Sequence, residues 1–431
     1  MIKVIKYPGK SDWKGLLKRP GIDSIELEEK VSTILKNVKD KGDTALKEYA
    51  LLFDKTEITN LQVSEKEITD AENLISEELK QAIQIAKNNI GKFHTSQKEE
   101  VKIVETSKGV LCWRRSVGIE KVGLYIPGGT APLFSTVLML GVPAQLAGCK
   151  EIILCTPCDK NGKVNPAILY TANLVGNTKI LKVGGAQAIG AMAYGTETIP
   201  QVNKIFGPGN QYVTCAKQLV NKEGIAIDMP AGPSEVAIIA DETCVPEFVA
   251  ADLLSQAEHG TDSQVILVSD SENVIQKVNS ELEKQVSKLP RKEIAEAALK
   301  SSKAILVNNL NEGIELLNEY APEHLIITCK NEEELAKQVV NAGSVFLGNY
   351  SCESAGDYAS GTNHTLPTNG NAKAYSGVSL DSFVKKITFQ KLTKEGIESI
   401  GRTIELMAEA EGLEAHKNAV SIRIKDLGFR I

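Results

Sequence analysis

Aromatic side chains are scarce in this chain. They make up 5% of its 431 residues, against 42% hydrophobic residues overall, so its cores must be largely aliphatic. Long apolar runs are missing too, and none approaches the roughly 20 residues that a membrane helix needs. The opening, MIKVIKYPGKSDW, lacks the apolar core and cleavage site of a signal peptide. Net charge is −6, which provides no global basic field for nucleic acid. A disulfide framework is also absent. The eight cysteines (112, 149, 155, 158, 215, 244, 329 and 352) are scattered, and a reducing compartment keeps such residues as thiols. These absences lead us to expect a cytoplasmic protein with no membrane and no nucleic-acid partner. Cys155 and Cys158 form a C-x-x-C in LCTPC. No second pair and no nearby histidine complete a zinc knuckle, and no helix follows as in a redox motif.

Histidine is rare as well. Four of the five histidines sit among acids, amides and glycines: His259 in SQAEHGTDSQ, His324 in EYAPEHLII, His364 in SAGDYASGTNHTLP and His416 in EAEGLEAHKNA. Imidazole is the commonest metal ligand and titrates near neutral pH. Singly, each reads as a solvated or core residue. Together, beside carboxylates in regions far apart in the chain, they point to one assembled metal and acid/base site.

A chain of this length forms two or more folding units. Residues 24–101 read as helical, with a break at LLFDKT and alternating Lys and Glu on solvated faces. From residue 117 β-like runs alternate with helix-like ones: VGLYIPGG, TVLMLGVPAQLAGC, EIILCTP, NPAILYTANLVGN, KILKVGG, AQAIGAMAYGT. A second such series starts at SEVAIIAD. Alternation at this spacing means parallel strands with crossover helices, in two similar-sized α/β halves. The last 50 residues differ, with a β-like SFVKKITFQKL and then two helices separated at Gly412.

Several short constellations carry chemistry. Gln256 and His259, three apart near a helix end, share a face that is otherwise apolar. They suit a pair of metal ligands or a capping role. Asp357 and His364 lie in a loop rich in Gly, Ser, Thr and Asn, where Asp357 could ligate a metal or form an Asx turn. Glu411 and His416 bracket Gly412 and could converge on one point, or lie on a solvated helix face. Glu323-His324 follows Pro322, which stops a helix, and stands at the mouth of the strand-like LIIT. There the carboxylate can activate a water and the imidazole can take a hydroxyl proton. The turns YIPGG, KVGGAQAIG and FGPGN each join a strand to a helix, whose first amides bind phosphate well. None matches G-x-G-x-x-G, so a nucleotide site and ordinary tight connections both remain open.

Over nearly its whole length the chain resembles the histidinol dehydrogenase family. The segments that carry the resemblance are VGLYIPGGTAPLFSTVLMLGVPAQLAGC, KVGGAQAIGAMAYGT, KIFGPGNQYVTCAK, IDMPAGPSEVAIIAD, ADLLSQAEHG, YAPEHL, SAGDYASGTNHTLPT and EAEGLEAHKNA. The fold this implies is α/β: two Rossmann-like (incomplete) parallel-sheet domains plus small N- and C-terminal helical segments. Its implied parts are a segment 1–22, a first α/β domain (23–120 with 236–378) on the metal and substrate side, and a second (121–235) on the NAD side. A tail domain, 379–431, docks on the partner subunit. The implied reaction oxidises L-histidinol through bound L-histidinal to L-histidine, the last step of histidine biosynthesis. It uses two hydride transfers to two NAD+ and one Zn2+ per subunit, in a homodimer with shared active sites.

By position, the resemblance makes Gln256, His259, Asp357 and His416 the zinc ligands, and Glu323 and His324 the catalytic acid/base residues. Tyr125, Gln187 and Asn210 become the NAD+ contacts. Ser234, His364 and Glu411 become substrate contacts, together with the metal ligands and His324. Cys112 and Cys149 fall near the family's cysteine positions and read as packing residues. An amide oxygen is a weak zinc ligand, which leaves room for the substrate's nitrogens, and manganese or cobalt would also suit the set. A zinc hydrolase is the rival reading from another class. Oxidation of some other small alcohol is the rival within the fold, and His364 with Glu411 argues against it.

Overall fold

The structure is a computed structural model that describes residues 2–20, 24–128, 132–176, 179–230 and 232–426. Gly129 of the YIPGG turn, part of the expected 1–22 segment and the last five residues of the expected tail lie outside the described residues. Two compact units are present: Met1–Ser96 with Ile119–Phe383, and Gln97–Gly118 with Val384–Ile431.

Two parallel sheets organise the first unit. The larger has six strands in the order Lys3–Lys6, Lys303–Leu306, Gln264–Ser269, Glu235–Ala240, His324–Thr328 and Ser344–Leu347. Its three central strands, EVAIIA, QVILVS and HLIIT, are buried at every position. Helices cover both faces of such strands, so they read as continuous apolar runs rather than alternating ones. The second sheet has five strands in the order Lys179–Lys182, Glu151–Thr156, Lys121–Tyr125, Lys204–Phe206 and Ala226–Ile227. The α/β class with two parallel sheets therefore holds.

Some of the grouping expected from sequence does not. The helices Ser24–Lys41 and Glu77–Thr95 were assigned by sequence to the six-stranded half. Val31, Leu35, Val38 and Leu46 instead pack with Leu181 and Ile189. Ile83 and Ile90 pack with Met139 and Leu140, so these helices cover the five-stranded sheet. An amphipathic helix carries no local record of which sheet its apolar stripe covers. The N-terminal segment adds an edge strand to the larger sheet as well as a helix, Lys10–Leu16, whose Trp13 packs against that sheet's core. Helical periodicity ends at Thr95 rather than 101.

The second unit is a three-stranded antiparallel sheet with two helices. Val110–Gly118 pairs on one side with Ile103–Ser107 and on the other with Val384–Leu392. Trp113 stacks on Phe389 across that pairing, with ring centroids 5.5 Å apart. Residues 103–118 thus leave the expected first domain, and the tail's share of this unit starts at Val384 rather than 379. The reason is visible at Phe383, which is fully buried in the first unit and stacks on Phe206 at 4.0 Å. The helices Lys394–Ala410 and Glu414–Asp426 are separated by Gly412, whose φ of +71° suits the left-handed turn between them. No helix among the described residues is long and apolar enough to cross a membrane.

Candidate active site

Polar side chains gather at the amino edge of the six-stranded sheet. The helix Leu310–Tyr320 ends at Ala321 in a left-handed conformation, φ +52°, and Pro322 prevents it from continuing. Glu323 stands just before the next strand and His324 is its first residue, and both are buried. Glu235 begins the adjacent strand, with Ser234 just before it. The helix Pro246–Ala257 returns the chain to the same edge, which puts Gln256 in its last turn and His259 just beyond its end. The short helix Glu353–Tyr358 adds Asp357, which the sequence placed in a loop. The i,i+4 spacing of Glu353 and Asp357 puts both carboxylates on one face of that helix.

Glu323 and His324 share one anchor. The backbone N–H of Glu235 donates to Glu323 Oε2 at 2.9 Å, and His324 Nδ1 meets the carbonyl of Glu235 at 3.3 Å. Gln256 Nε2 donates to the same Glu323 oxygen at 3.2 Å. His324 Nδ1 stands 3.8 Å from Glu323 Oε2 and 3.9 Å from Glu353 Oε1, while Nε2 stands 3.5 Å from Asp357 Oδ1. Burial raises the Glu323 carboxyl to about 8, against the pull of His324 and the Glu235 N–H. Burial by itself would lower His324, but the carboxylates of Glu353, Glu323 and Asp357 outweigh it and push the imidazole up to about 10. Burial would raise Asp357, and the cationic His324 beside it holds it below the usual carboxylate range. Burial lifts Glu353 well above that range. It also depresses His259 and His364 below the ordinary imidazole value.

Four buried atoms at this edge lack a hydrogen-bond partner: Gln256 Oε1, His324 Nε2, Glu353 Oε2 and Asp357 Oδ1. A buried polar atom left unpaired costs about 1–3 kcal/mol, so a group of four asks for an occupant. Their chemistry, an amide oxygen, an imidazole nitrogen and two carboxylates, suits a divalent cation. Ligand atoms of His324, Glu353 and Asp357 lie within 4.8 Å of one another. Of the four ligands expected from sequence, Gln256, His259 and Asp357 belong to this edge. His416 and Glu411 belong to the second unit, where both are exposed. Glu353 is the residue that sequence reasoning missed, and its spacing to Asp357 was the available signal.

The expected substrate contacts Ser234 and His364 are also here. Ser234 Oγ is 3.4 Å from His259 Nδ1. His364 Nδ1 donates to the carbonyl of Asp357 at 3.0 Å, and its Nε2 accepts from Thr136 Oγ1 at 3.1 Å. Thr136 lies in the helix Phe134–Ala147, which follows the central strand of the five-stranded sheet. The amino edge of one sheet therefore meets residues from the carboxyl side of the other.

At the carboxyl ends of the five-stranded sheet lies a cavity of about 1290 Å³. Tyr125, Gln187 and Asn210 all line it, as do Gly184 and Gly185. Tyr125 ends one strand, and its hydroxyl accepts from the Gly185 N–H at 3.1 Å. Asn210 caps the helix Gln211–Lys222, with Oδ1 accepting from the N–H groups of Tyr212 and Val213 at 3.1 and 3.2 Å. Connections leave the strands of Tyr125 and Phe206 in opposite directions along the sheet, and ligands bind open parallel sheets at such a switch point. The Glu323–His324 cluster does not line this cavity.

Two parallel sheets, a cavity at a switch point and a buried carboxyl–imidazole cluster define an α/β protein with the architecture of an enzyme. The model of the family "Histidinol dehydrogenase" matches residues 17–424. The histidinol dehydrogenase of Bacteroides thetaiotaomicron is 61% identical over 427 residues, which is 99% of this chain and 100% of that one. The Escherichia coli K12 enzyme is 52% identical over 415 residues, 96% of this chain and 95% of that one. Among solved structures, the histidinol dehydrogenase of Elizabethkingia anophelis superposes with a TM-score of 0.97 at 60% identity and 99% coverage of both chains. A betaine aldehyde dehydrogenase from Staphylococcus aureus, with a TM-score of 0.50 at 10% identity over 85% of this chain and 84% of that one, shares the fold only. The chain belongs to the histidinol dehydrogenase family.

Proposed function

We propose that the protein oxidises L-histidinol through L-histidinal to L-histidine, with two NAD+ per turnover and one zinc ion per subunit, as a cytoplasmic homodimer with shared sites. The observation that carries this reading is the Glu323–His324 pair, buried side by side and hung from one backbone unit, Glu235. Gln256, His259 and Asp357 would hold zinc together with His416 of a second copy. Zinc at these ligands would supply a Lewis acid that holds the substrate's imidazole and amine nitrogens. NAD+ against Tyr125, Gln187 and Asn210 would supply the hydride acceptor for both oxidations.

The remaining work falls to the chain. Ser234 and His364 orient the substrate, together with Glu411 of the second copy. Glu353, Glu323 and Asp357, in that order, favour the proton on His324, so a cation held against Asp357 would weaken that hold. His324 then takes the hydroxyl proton of the alcohol, with Nδ1–H kept on the Glu235 carbonyl and Nε2 toward the substrate. Glu323, raised to about 8, is matched to drawing a proton from water near neutral pH, which hydrates the bound aldehyde. His324 serves again in the second oxidation. No thiol takes part. Cys149 and Cys155 are pushed by burial up to about 11 and about 12, far from a reactive thiolate. All eight cysteines are free, which suits a reducing compartment. Exposed Met407, Leu413 and Ile422 on the second unit suit burial against another copy.

The test is NADH absorbance on mixing the metal-loaded protein with histidinol and NAD+. Two NADH per histidinol consumed is the expected result. Absence of NADH, with hydrolysis of an ester or amide instead, would replace this reading with that of a zinc hydrolase.

A further inference from the structure

Arg19 lies far from the acid/base pair in sequence and is given no role by the motifs. It is nearly buried, with its side chain 16% exposed, and its partner Glu235 is 2% exposed. Its fork spans both oxygens of Glu235, Nε to Oε1 at 2.5 Å and Nη2 to Oε2 at 2.8 Å. The same Nη2 donates to the carbonyl of Tyr320 at 2.7 Å and reaches that of Ala321 at 3.4 Å. The guanidinium also covers the Tyr320 ring, 4.0 Å from its centroid. The Asn369 N–H completes the Glu235 shell, donating to Oε1 at 2.7 Å.

These contacts bracket Glu323 and His324 from both sides. The backbone of Glu235 gives its N–H to Glu323 and its carbonyl to His324. Tyr320 and Ala321 are the residues whose left-handed turn aims the pair. Arg19 therefore ties together the two backbone segments that set where the carboxylate and the imidazole point. A planar, bidentate guanidinium can hold that geometry, whereas a single ammonium cannot engage both carboxylate oxygens and the carbonyl in one plane.

We propose that Arg19 is a positioning residue for the Glu323–His324 pair, acting through Glu235 and the Tyr320–Ala321 turn. The proposal rests on the acid/base reading of that pair. It predicts a loss that appears in kcat and not in cofactor binding, since the NAD+ cavity lines the other sheet.

The experiment uses the full-length, metal-loaded protein carrying Arg19→Met, Arg19→Lys, Glu235→Gln and the Arg19→Lys/Glu235→Gln double change. Steady-state kinetics, metal content and thermal unfolding are measured for each. Misplacement of a reacting group by about 1 Å costs up to roughly 100-fold, so kcat should fall by roughly 10- to 100-fold in Arg19→Met. Arg19→Lys should fall between that variant and the unaltered protein, with KM for NAD+ and metal content unchanged. In the Glu235→Gln background, Arg19→Lys should lower kcat less than it does alone, because both changes break one linkage.

Retention of full kcat in the folded Arg19 variants would overturn the proposal. Additive losses in the double variant would also do so, as would a fall in kcat matched by a rise in KM for NAD+ and loss of metal. If Arg19→Met does not fold, Arg19→Lys and the cycle with Glu235→Gln decide. His324→Asn is run alongside. If it keeps full activity, the acid/base reading itself is at fault; if it alone is inactive, only the Arg19 linkage fails.

Discussion

The two sheets of the first unit use opposite edges. The five-stranded sheet keeps a cavity at the carboxyl ends of its strands, where open parallel sheets ordinarily bind ligands. The six-stranded sheet gathers its polar groups at the amino ends, around Glu235, Glu323 and His324. One edge is open and lined by glycine turns and a helix cap. The other is closed and crowded with charges that shift one another's proton affinities. A large ligand needs volume, whereas charges that shift one another need mutual contact in a dry site. The two edges differ in just these properties, and the loop that carries His364 links them through Thr136.

The comparison can be broken most severely at the crowded edge. His259→Asn should lose zinc and activity together, because a set with a weak amide ligand cannot spare an imidazole. Metal analysis that finds full zinc would exclude this ligand set. Mixing that inactive chain with an inactive His416→Asn chain should restore activity to about a quarter of the sites, since half the dimers are mixed and each has one intact site. No recovery, with mixed dimers present, would place all ligands within one chain.

A smaller effect is expected at Glu323. Glu323→Gln should lower oxidation of supplied histidinal by roughly 100-fold, the scale of a lost general base, and spare alcohol oxidation more. Equal rates for histidinal in the variant and the unaltered protein would remove Glu323 from the water step. At the open edge, Asn210→Ala should raise KM for NAD+ with little change in kcat. It should also cost about 1 kcal/mol of stability through the lost helix cap, which thermal or urea unfolding reads. A fall in kcat at unchanged KM would contradict the division between the edges.

The smallest effect concerns His94, which belongs to neither edge. It is fully buried, with Nδ1 donating to the carbonyl of Ile90 at 2.9 Å. Burial holds its pKa below the ordinary 6.5, so the unfolded chain takes up a proton that the folded one resists. The stability this group contributes is present above pH 6.5 and is lost as pH falls through the lower folded value. Replacing His94 with Gln should make the melting temperature fall less steeply between pH 7.5 and 5.5. An unchanged slope would mean that other groups control acid sensitivity.

Much of the crowded edge was legible because its residues sit in short, unusual strings. Glu323 and His324 are neighbours after a proline, and Gln256 and His259 close an apolar helix. Glu353 was not legible in the same way, because a glutamate on a short helix looks solvated until the fold buries it. Arg19 was hidden for a stronger reason. Its partner is 216 positions away, and nothing local distinguishes it from a surface arginine.

By itself the sequence determined the alternation of strands and helices, the parallel class of both sheets, the break at Gly412 and the identity of most polar groups at the two edges. Those properties depend on spacing over a few residues, which the chain displays directly. Only the tertiary structure decided that the helices of residues 24–95 cover the five-stranded sheet, that 103–118 pair with 384–392, and that Glu235 anchors both Glu323 and His324 through its backbone. Each of these is a choice of partner between segments far apart in the chain. Such choices follow from which apolar faces and hydrogen-bonding edges fit one another, and no local pattern records that fit.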